Sequence, residues 1–465
     1  MIEINLSQLA QIVGGKLIGD ADRVITGSVE TDSRLVGAGS LFFAKPGEHT
    51  DGHNFIPDAL ERGAVAVVAE REASASIDQV IVQDSVEALG KLAAWLVREL
   101  KSNGQLRVIG ITGSNGKTTT KNMLRQILSQ VGETIAPIES YNNKVGAPIS
   151  ILRADRNTKF LVVEMGAEGI GSIDYLAKMA DPDIALVLKV GLAHVGKFGG
   201  IETTAKIKAE LATALRPDAK LILNSDDSLV RNMQSQSKAS VHWFGTSSEA
   251  NYLATDIKLL EDGTSYTMNW PDGQSETIKL KILGDVHIMN ALAASAAAEL
   301  LGASRDQIRV GLESIELAER WRMERAVRSD GVVVINDAYN ASPDSMKAAL
   351  QTLAQLGRMG SRTIAVLGHM AELGDFSKAE HDAIGRLVVR LNIDQLVVVG
   401  DEAKLIHMGA SQEGSWDGES VFFASIDEAL EYLRGILSHG DTVLVKSSKS
   451  ANLRFLGDKL LEAVE

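Results

Sequence analysis

The chain has 465 residues, 45% hydrophobic and 23% charged, a length that calls for about three domains and a composition of globular type. Its net charge of −14 argues against nucleic-acid binding by bulk electrostatics, and the lack of cysteine excludes disulfides, thiolate zinc sites and a thiol nucleophile. No apolar run is long enough to span a bilayer, and Met1-Ile2-Glu3-Ile4-Asn5-Leu6 lacks a basic stretch followed by an apolar one, so a cytoplasmic chain without nucleic-acid or membrane partners is expected.

Residues 1–84 read as a small α/β unit, with strands at 40–44 and 65–69 and a helix at 56–62. Thr31-Asp32-Ser33-Arg34 offers hydroxyls, a carboxylate and a guanidinium suited to a diphosphate or uracil group, though such a run is also an ordinary turn. Ser85 can cap a helix with an apolar stripe from Val86 to Leu100, which Asn103-Gly104 stops. The first boundary is placed before that helix, giving units 1–84, 85–316 and 317–465.

A short buried strand at 106–111 then leads through Gly113-Ser114-Asn115-Gly116-Lys117-Thr118-Thr119 into a helix at 117–130, whose Met123, Leu124, Ile127 and Leu128 recur at helical spacing. The two glycines let backbone N–H groups converge on an anion at the helix N-terminus, Lys117 is placed to reach terminal phosphates, and Thr118 offers a hydroxyl to magnesium. The run is a shortened G-x-x-G-K-T form of the phosphate loop, since Ile111 stands where the longer pattern has its first glycine.

Ser140-Tyr141-Asn142-Asn143 follows as an amide cluster of a kind useful for sugars and peptides but common in loops. Glu164 ends the strand 160–163, where an acid beside a phosphate loop can hold magnesium but is equally a solvated edge residue. His194 follows the strand 184–190 and is a nitrogen ligand candidate, although lone histidines are commonly structural. Lys206 and Lys208 lie on the helix 201–215; by default they are solvated, and the alternative is a neutral lysine that reacts with carbon dioxide.

Asp262-Gly263 and Asp272-Gly273 mark hairpin turns between short strands from 241 to 283, an antiparallel flank to the parallel sheet. An alanine-rich helix runs from Asp285 to Leu301 and stops at Gly302. From 317 onward strands at 332–335, 363–367, 396–399, 421–423 and 442–445 alternate with helices, a second doubly wound sheet without G-x-G-x-x-G and hence without an expected dinucleotide site. Asp337-Ala338-Tyr339-Asn340 repeats the loop chemistry of the earlier amide cluster, and Arg322 and Lys446 can reach phosphate or carboxylate or simply face water.

Taken together, these stretches resemble the Mur ligase family, ATP-dependent amide-forming enzymes that build the peptidoglycan stem peptide, and the likeness runs in order along nearly the whole chain. The family's T-G-[ST]-N-G-K-T loop stands at Thr112 to Thr118, and its metal-binding glutamate, histidine and modified lysine correspond to Glu164, His194 and Lys208. Its adenine-side asparagine corresponds to Asn290, and Arg322 and Asp337 to an arginine near the phosphates and a carboxylate on the ribose.

The resemblance implies a three-domain α/β fold: a small N-terminal domain for a UDP-linked substrate, a central P-loop-type sheet, mostly parallel with an antiparallel flank, and a C-terminal Rossmann-like sheet. It also implies ATP and Mg2+ as cofactors, substrate contacts from Ser33, Arg34, Asn142, Asn143 and Asn340, and a monomer. Asp32-Ser33-Arg34 with Asp51-Gly52-His53, the stretch from Asn336 to Pro343, and the stretch from Gly368 to Gly374 favour UDP-N-acetylmuramoyl-tripeptide and D-alanyl-D-alanine as the pair joined. Two departures stand out: His369 replaces a usual acid, and Lys446-Ser447-Ser448-Lys449 replaces Lys-Gly-Ser-Arg. Folylpolyglutamate synthetase is the nearest enzyme rival, but its loop usually reads Gly-Lys-Gly-Ser; a nucleotide-gated binding protein is the rival of another class.

Overall fold

The computed structural model describes residues 2–462, apart from 48–49, 103, 138–139, 194, 316–319 and 415–417. Among the described residues the central sheet has nine strands, in the order Ser275–Leu280, Gly263–Asn269, Tyr252–Leu260, Ser240–Gly245, Lys220–Asn224, Ile184–Val187, Arg107–Thr112, Phe160–Glu164 and Thr134–Ile135. Pairing is parallel from Tyr252–Leu260 onward and antiparallel in the two hairpins before it, as the change in sequence texture predicts. The strand Arg107–Thr112 lies between Phe160–Glu164 and Ile184–Val187, so the chain leaves it first to one side and then to the other. Such a switch opens a crevice at the carboxyl ends of the strands, and the glycine loop sits there.

Apolar side chains on both faces explain why this sheet is internal. On one face Met123, Leu124, Ile127 and Leu128 of the helix Lys117–Leu128 pack with Phe160, Val162 and the alanines of Asp285–Leu300. On the other, Val108, Leu161 and Val163 share a core with Leu89, Leu92 and Leu96 of the helix Ser85–Ser102. That core continues into the first unit through Leu6, Leu9, Leu41 and Val68, so this helix is a wall common to both. The first unit's own sheet has five described strands, ordered Lys16–Ile18, Asp78–Ile81, Ala64–Ala69, Ser40–Ala44 and Val29–Glu30.

The carboxyl-terminal part is doubly wound, as expected. Its strand order is Glu324–Val327, Val333–Asn336, Asp441–Lys446, Arg362–Leu367, Gln395–Val399 and Ser420–Phe423, with an antiparallel edge pair and parallel pairing elsewhere. Helices cover both faces, Pro343–Arg358 on one and Leu453–Leu461 on the other. Val195 and Leu283 of the central region are buried in the same cluster as Met346 and Leu350, so the two sheets are packed against each other. No described helix is long and apolar enough to cross a membrane.

Two local expectations need correction. The helix Ser85–Ser102 is capped by Asp84, whose carboxylate accepts from Val86 N and Glu87 N at 2.8 and 2.9 Å; the Ser85 hydroxyl instead donates to Glu70. Gly263 is a paired strand residue opposite Leu260, and the turn is Glu261-Asp262. Glycine is required there by close approach, because a Cβ at 263 would lie 2.0 Å from the Leu280 carbonyl oxygen.

Candidate active site

The glycine loop is tied on both flanks. Thr112 Oγ1 donates to Met165 O at 3.0 Å, and Ser114 N donates to Lys189 O at 2.8 Å, which fixes the loop to the ends of the two neighbouring strands. Gly116 caps the helix Lys117–Leu128 with φ +88°, and a Cβ there would lie 2.2 Å from Asn290 Oδ1. Glycine at 116 is therefore demanded twice, by backbone angle and by the asparagine pressed against it. Asn290 also accepts from Thr120 Oγ1 at 3.3 Å, which places this side chain beside the loop as the resemblance implies. Lys117 Nζ folds back onto Gly113 O at 2.8 Å, and desolvation with the nearby Arg322 charge lowers its ammonium pKa against the pull of Glu164.

The acid candidate is brought to the loop. Glu164 pairs in register with Ile111 at the ends of adjacent parallel strands and is almost fully buried. Thr118 Oγ1 donates to Glu164 Oε2 at 3.1 Å, and Asn142 Nδ2 donates to Glu164 Oε1 at 2.8 Å. Ser140 Oγ lies 3.3 Å from Thr118 Oγ1. A hydroxyl and a carboxylate side by side are hard oxygen donors, the kind magnesium takes one or two of before completing its shell with water and substrate phosphate. Among the described residues no cluster of three or more His, Cys, Asp or Glu gathers. His194 lies outside the described residues.

The two lysines of the helix Ile201–Thr213 part company. Lys206 is exposed, as the solvated reading has it, whereas Lys208 is 3% exposed. Burial, reinforced by the charge of Lys117, pushes the Lys208 amine well below its ordinary range, which favours the neutral amine, the form able to attack carbon dioxide. The same helix turns Glu210 the other way, where its carboxylate accepts from Gly171, Ile173 and Asp174 N and caps the helix Ser172–Ala180. That cap ties the helix bearing Lys208 to the segment leading out of Glu164.

The carboxyl-terminal sheet closes the crevice. Arg322 lies over the Tyr339 ring at 4.2 Å and Lys449 over the same ring at 5.4 Å, while Tyr339 OH donates to Ser140 Oγ at 3.4 Å. Asp337 accepts from Met323 N at 3.0 Å and from Lys446 Nζ at 2.6 Å. Lys446 is 2% exposed and also donates to Asn340 O, so it is held inside the protein instead of reaching a ligand from solvent. Of the substrate candidates, Asn142 is at the site. Asn143 caps the helix Gly146–Ile151 through Val145 N and Gly146 N, Asn340 Oδ1 accepts from Ala341 N, and Arg34 pairs with Asp32 while Ser33 is buried in the first unit.

Asp344 and His287 are also at the site; neither is read as a functional residue from the sequence, although His287 opens the run that carries Asn290. Asp344 Oδ2 accepts from Leu192 N at 3.0 Å, a contact no local pattern announces. His287 stands one helical turn before Asn290; it is buried with neither ring nitrogen partnered, and burial takes its pKa down to about 4. Its signal in the sequence is only that spacing of three.

A glycine loop between a strand and a helix, with a second doubly wound sheet packed against it, is the arrangement of a nucleotide-binding protein. Family models match along the chain: the Mur ligase catalytic domain at residues 26–96, the Mur ligase middle domain at 111–298 and the Mur ligase glutamate ligase domain at 321–449. The chain belongs to the Mur ligase family. It is 40% identical to the UDP-N-acetylmuramoyl-tripeptide–D-alanyl-D-alanine ligase of Mycobacterium tuberculosis over 99% of this chain and 98% of that one. The ligase of the same name from Escherichia coli is 34% identical, with 97% of each chain covered. Among solved structures, MurF from Acinetobacter baumannii superposes with a TM-score of 0.90 at 32% identity and full coverage of both chains. MurF ligase from Thermotoga maritima in complex with ADP gives 0.82 at 29% identity, covering 94% of this chain and 98% of that one.

Proposed function

We infer that this chain is an ATP-dependent ligase that joins D-alanyl-D-alanine to the terminal carboxylate of UDP-N-acetylmuramoyl-tripeptide, releasing ADP and phosphate and giving the pentapeptide precursor of peptidoglycan. Kinship over the whole length supports the reaction, and the observation that carries the site is the Thr118–Glu164 contact beside the glycine loop.

The physical difficulty is mutual repulsion: a carboxylate must approach a triphosphate. Loop N–H groups from Gly113 to Thr118 hold the outer phosphates, and Lys117 swings from the Gly113 carbonyl to the phosphoryl group being transferred. The bond from the γ-phosphorus to ADP breaks as the tripeptide carboxylate oxygen bonds to that phosphorus, giving an acyl phosphate. The dipeptide amine then attacks the acyl carbon and inorganic phosphate leaves. Thr118, Glu164, His194 and, as a carbamate, Lys208 are the residues that would hold Mg2+, which when bound would neutralise charge on the phosphates. Tyr339 and Ser342 shield the crevice from water that would hydrolyse the acyl phosphate.

Within this proposal, residues 1–84 take the UDP-linked substrate with Ser33 and Arg34, and residues 85–316 take ATP, with Asn142 and Asn143 facing the peptide. Residues 317–465 supply Arg322, Asp337 and Asn340. The chain acts as a cytoplasmic monomer. The test is phosphate release across nucleotide-linked tripeptides and dipeptides. Release that requires both, with the pentapeptide as product, supports the reading; nucleotide binding without turnover on any pair removes it.

A further inference from the structure

We infer that Asp344 is a positioning residue that makes the shape of the phosphate loop depend on docking of the carboxyl-terminal sheet. Asp344 is in the first turn of the helix Pro343–Arg358, which packs in the core of the carboxyl-terminal sheet and not in that of the loop's own sheet. Its Oδ2 accepts from Leu192 N at 3.0 Å, and its Oδ1 lies 3.7 Å from Lys189 Nζ. The residue between these two partners and the loop is Gly191: its N donates to Ser114 Oγ at 2.9 Å, and its carbonyl lies 3.2 Å from the same hydroxyl. A Cβ at 191 would sit 2.3 Å from Asp344 Oδ2, so the carboxylate fills the space that a side chain there would need.

Two further contacts from the same stretch reach the loop region. Ser342 Oγ donates to Asn115 Oδ1 at 3.3 Å, and Tyr339 OH donates to Ser140 Oγ, the neighbour of Thr118 Oγ1. Ser114, Asn115 and Thr118 are thus each within one or two hydrogen bonds of residues 339–344. Farther along, Val195 is buried in the carboxyl-terminal core, and Gly196 N donates to Glu372 O at 3.2 Å. A Cβ at 196 would meet Gly374 N at 2.4 Å, so this second anchor admits only glycine.

A loop of glycine, serine and asparagine loses much conformational freedom when its amides are aimed at one anion. Here the aim is held from outside the loop's own sheet, and by an ionised acceptor, which bonds backbone N–H more strongly than a neutral one. Releasing Asp344 frees Leu192 and Gly191, and with them the Ser114 side of the loop. An acid that merely complemented its own helix dipole would leave that loop untouched.

The test is hydrogen exchange on the full-length protein, comparing wild type with Asp344→Ala, Asp344→Asn and Gly196→Ala, alongside ADP binding and turnover. Asp344→Ala is expected to exchange at least about fivefold faster at the amides of 113–116 and 191–193, with kcat down about tenfold and ADP affinity within about twofold. Gly196→Ala, which pushes the sheets apart without touching the loop, is expected to do the same and serves if Asp344→Ala does not fold. Asp344→Asn keeps an oxygen for Leu192 N and restores most of the protection. Wild-type exchange in both Asp344→Ala and Gly196→Ala overturns the inference, whatever happens to kcat. The turnover arm rests on the ligase reading; the exchange and ADP arms do not, so the two fail separately.

Discussion

Thr118 and Glu164, separated by 46 residues, meet through a 3.1 Å hydrogen bond where the glycine loop leaves its strand. The contact follows from register: Glu164 is opposite Ile111, so the end of one parallel strand delivers a carboxylate to the first turn of the helix that follows the other. On the proposed reading, phosphate, cation and peptide acid come together at this contact.

Lys117→Ala removes the mobile positive charge at this point. Turnover is expected to fall at least about 10²-fold, the scale of losing one donor that stabilises developing charge. Steady-state kinetics at saturating ATP checks it, and near-normal ligation would leave Lys117 without a part in the phosphoryl transfer.

Lys208→Ala is expected to be impaired and partly rescued by added short carboxylic acids, because a free carboxylate can stand where the proposed carbamate would be. The buried amine beside a second positive charge is the reason to expect modification. Rates measured with and without acetate or formate decide it; an unimpaired variant, or one that no acid rescues, would show that no carbamate acts at this position.

Lys446→Met leaves the Asp337 carboxylate without its 2.6 Å partner in a largely buried position. Stability is expected to drop by about 3 kcal/mol, as when one member of a buried pair is removed. The double change with Asp337→Asn should recover at least half of that loss. Urea midpoints of the single and double variants read it directly.

His287 gives the stability a pH dependence. Its folded pKa of about 4 lies below the usual value near 6.5, so the unfolded chain takes up the proton first as pH falls. The neutral form is therefore favoured by folding above 6.5, and that stability is lost between 6.5 and 4, by about 3 kcal/mol in all. His381, also lowered by burial and accepting from Met370 N through Nε2, acts in the same direction. His287→Phe should flatten the urea midpoint against pH over this window; an unchanged slope would show that the titration lies elsewhere.

Much of the fold is legible in the sequence because its signals are local. Gly113 and Gly116 between a buried strand and a helix with Met123, Leu124, Ile127 and Leu128 on one face specify the phosphate loop, and the alternation after 317 specifies the second sheet. Glu164 is readable as a strand-end acid, but its partnership with Thr118 depends on strand register. Lys206 and Lys208 look alike in the helix pattern, and only packing separates an exposed amine from a buried one. Asp344 and Leu192 are 152 residues apart and touch because two sheets dock, which no periodicity encodes. Asn143 sits in a suggestive amide cluster, and the sequence does not announce that its side-chain oxygen also accepts from Val145 N and Gly146 N at a helix start.

Phosphorylation of the peptide acid by ATP is the step on which the proposed ligation turns. It is tested most directly by labelling the terminal carboxylate of UDP-N-acetylmuramoyl-tripeptide with oxygen-18 and following the phosphate released during ligation. An acyl phosphate requires one labelled oxygen to pass from the peptide into each phosphate. Ligation at the normal rate that releases unlabelled phosphate would contradict the account.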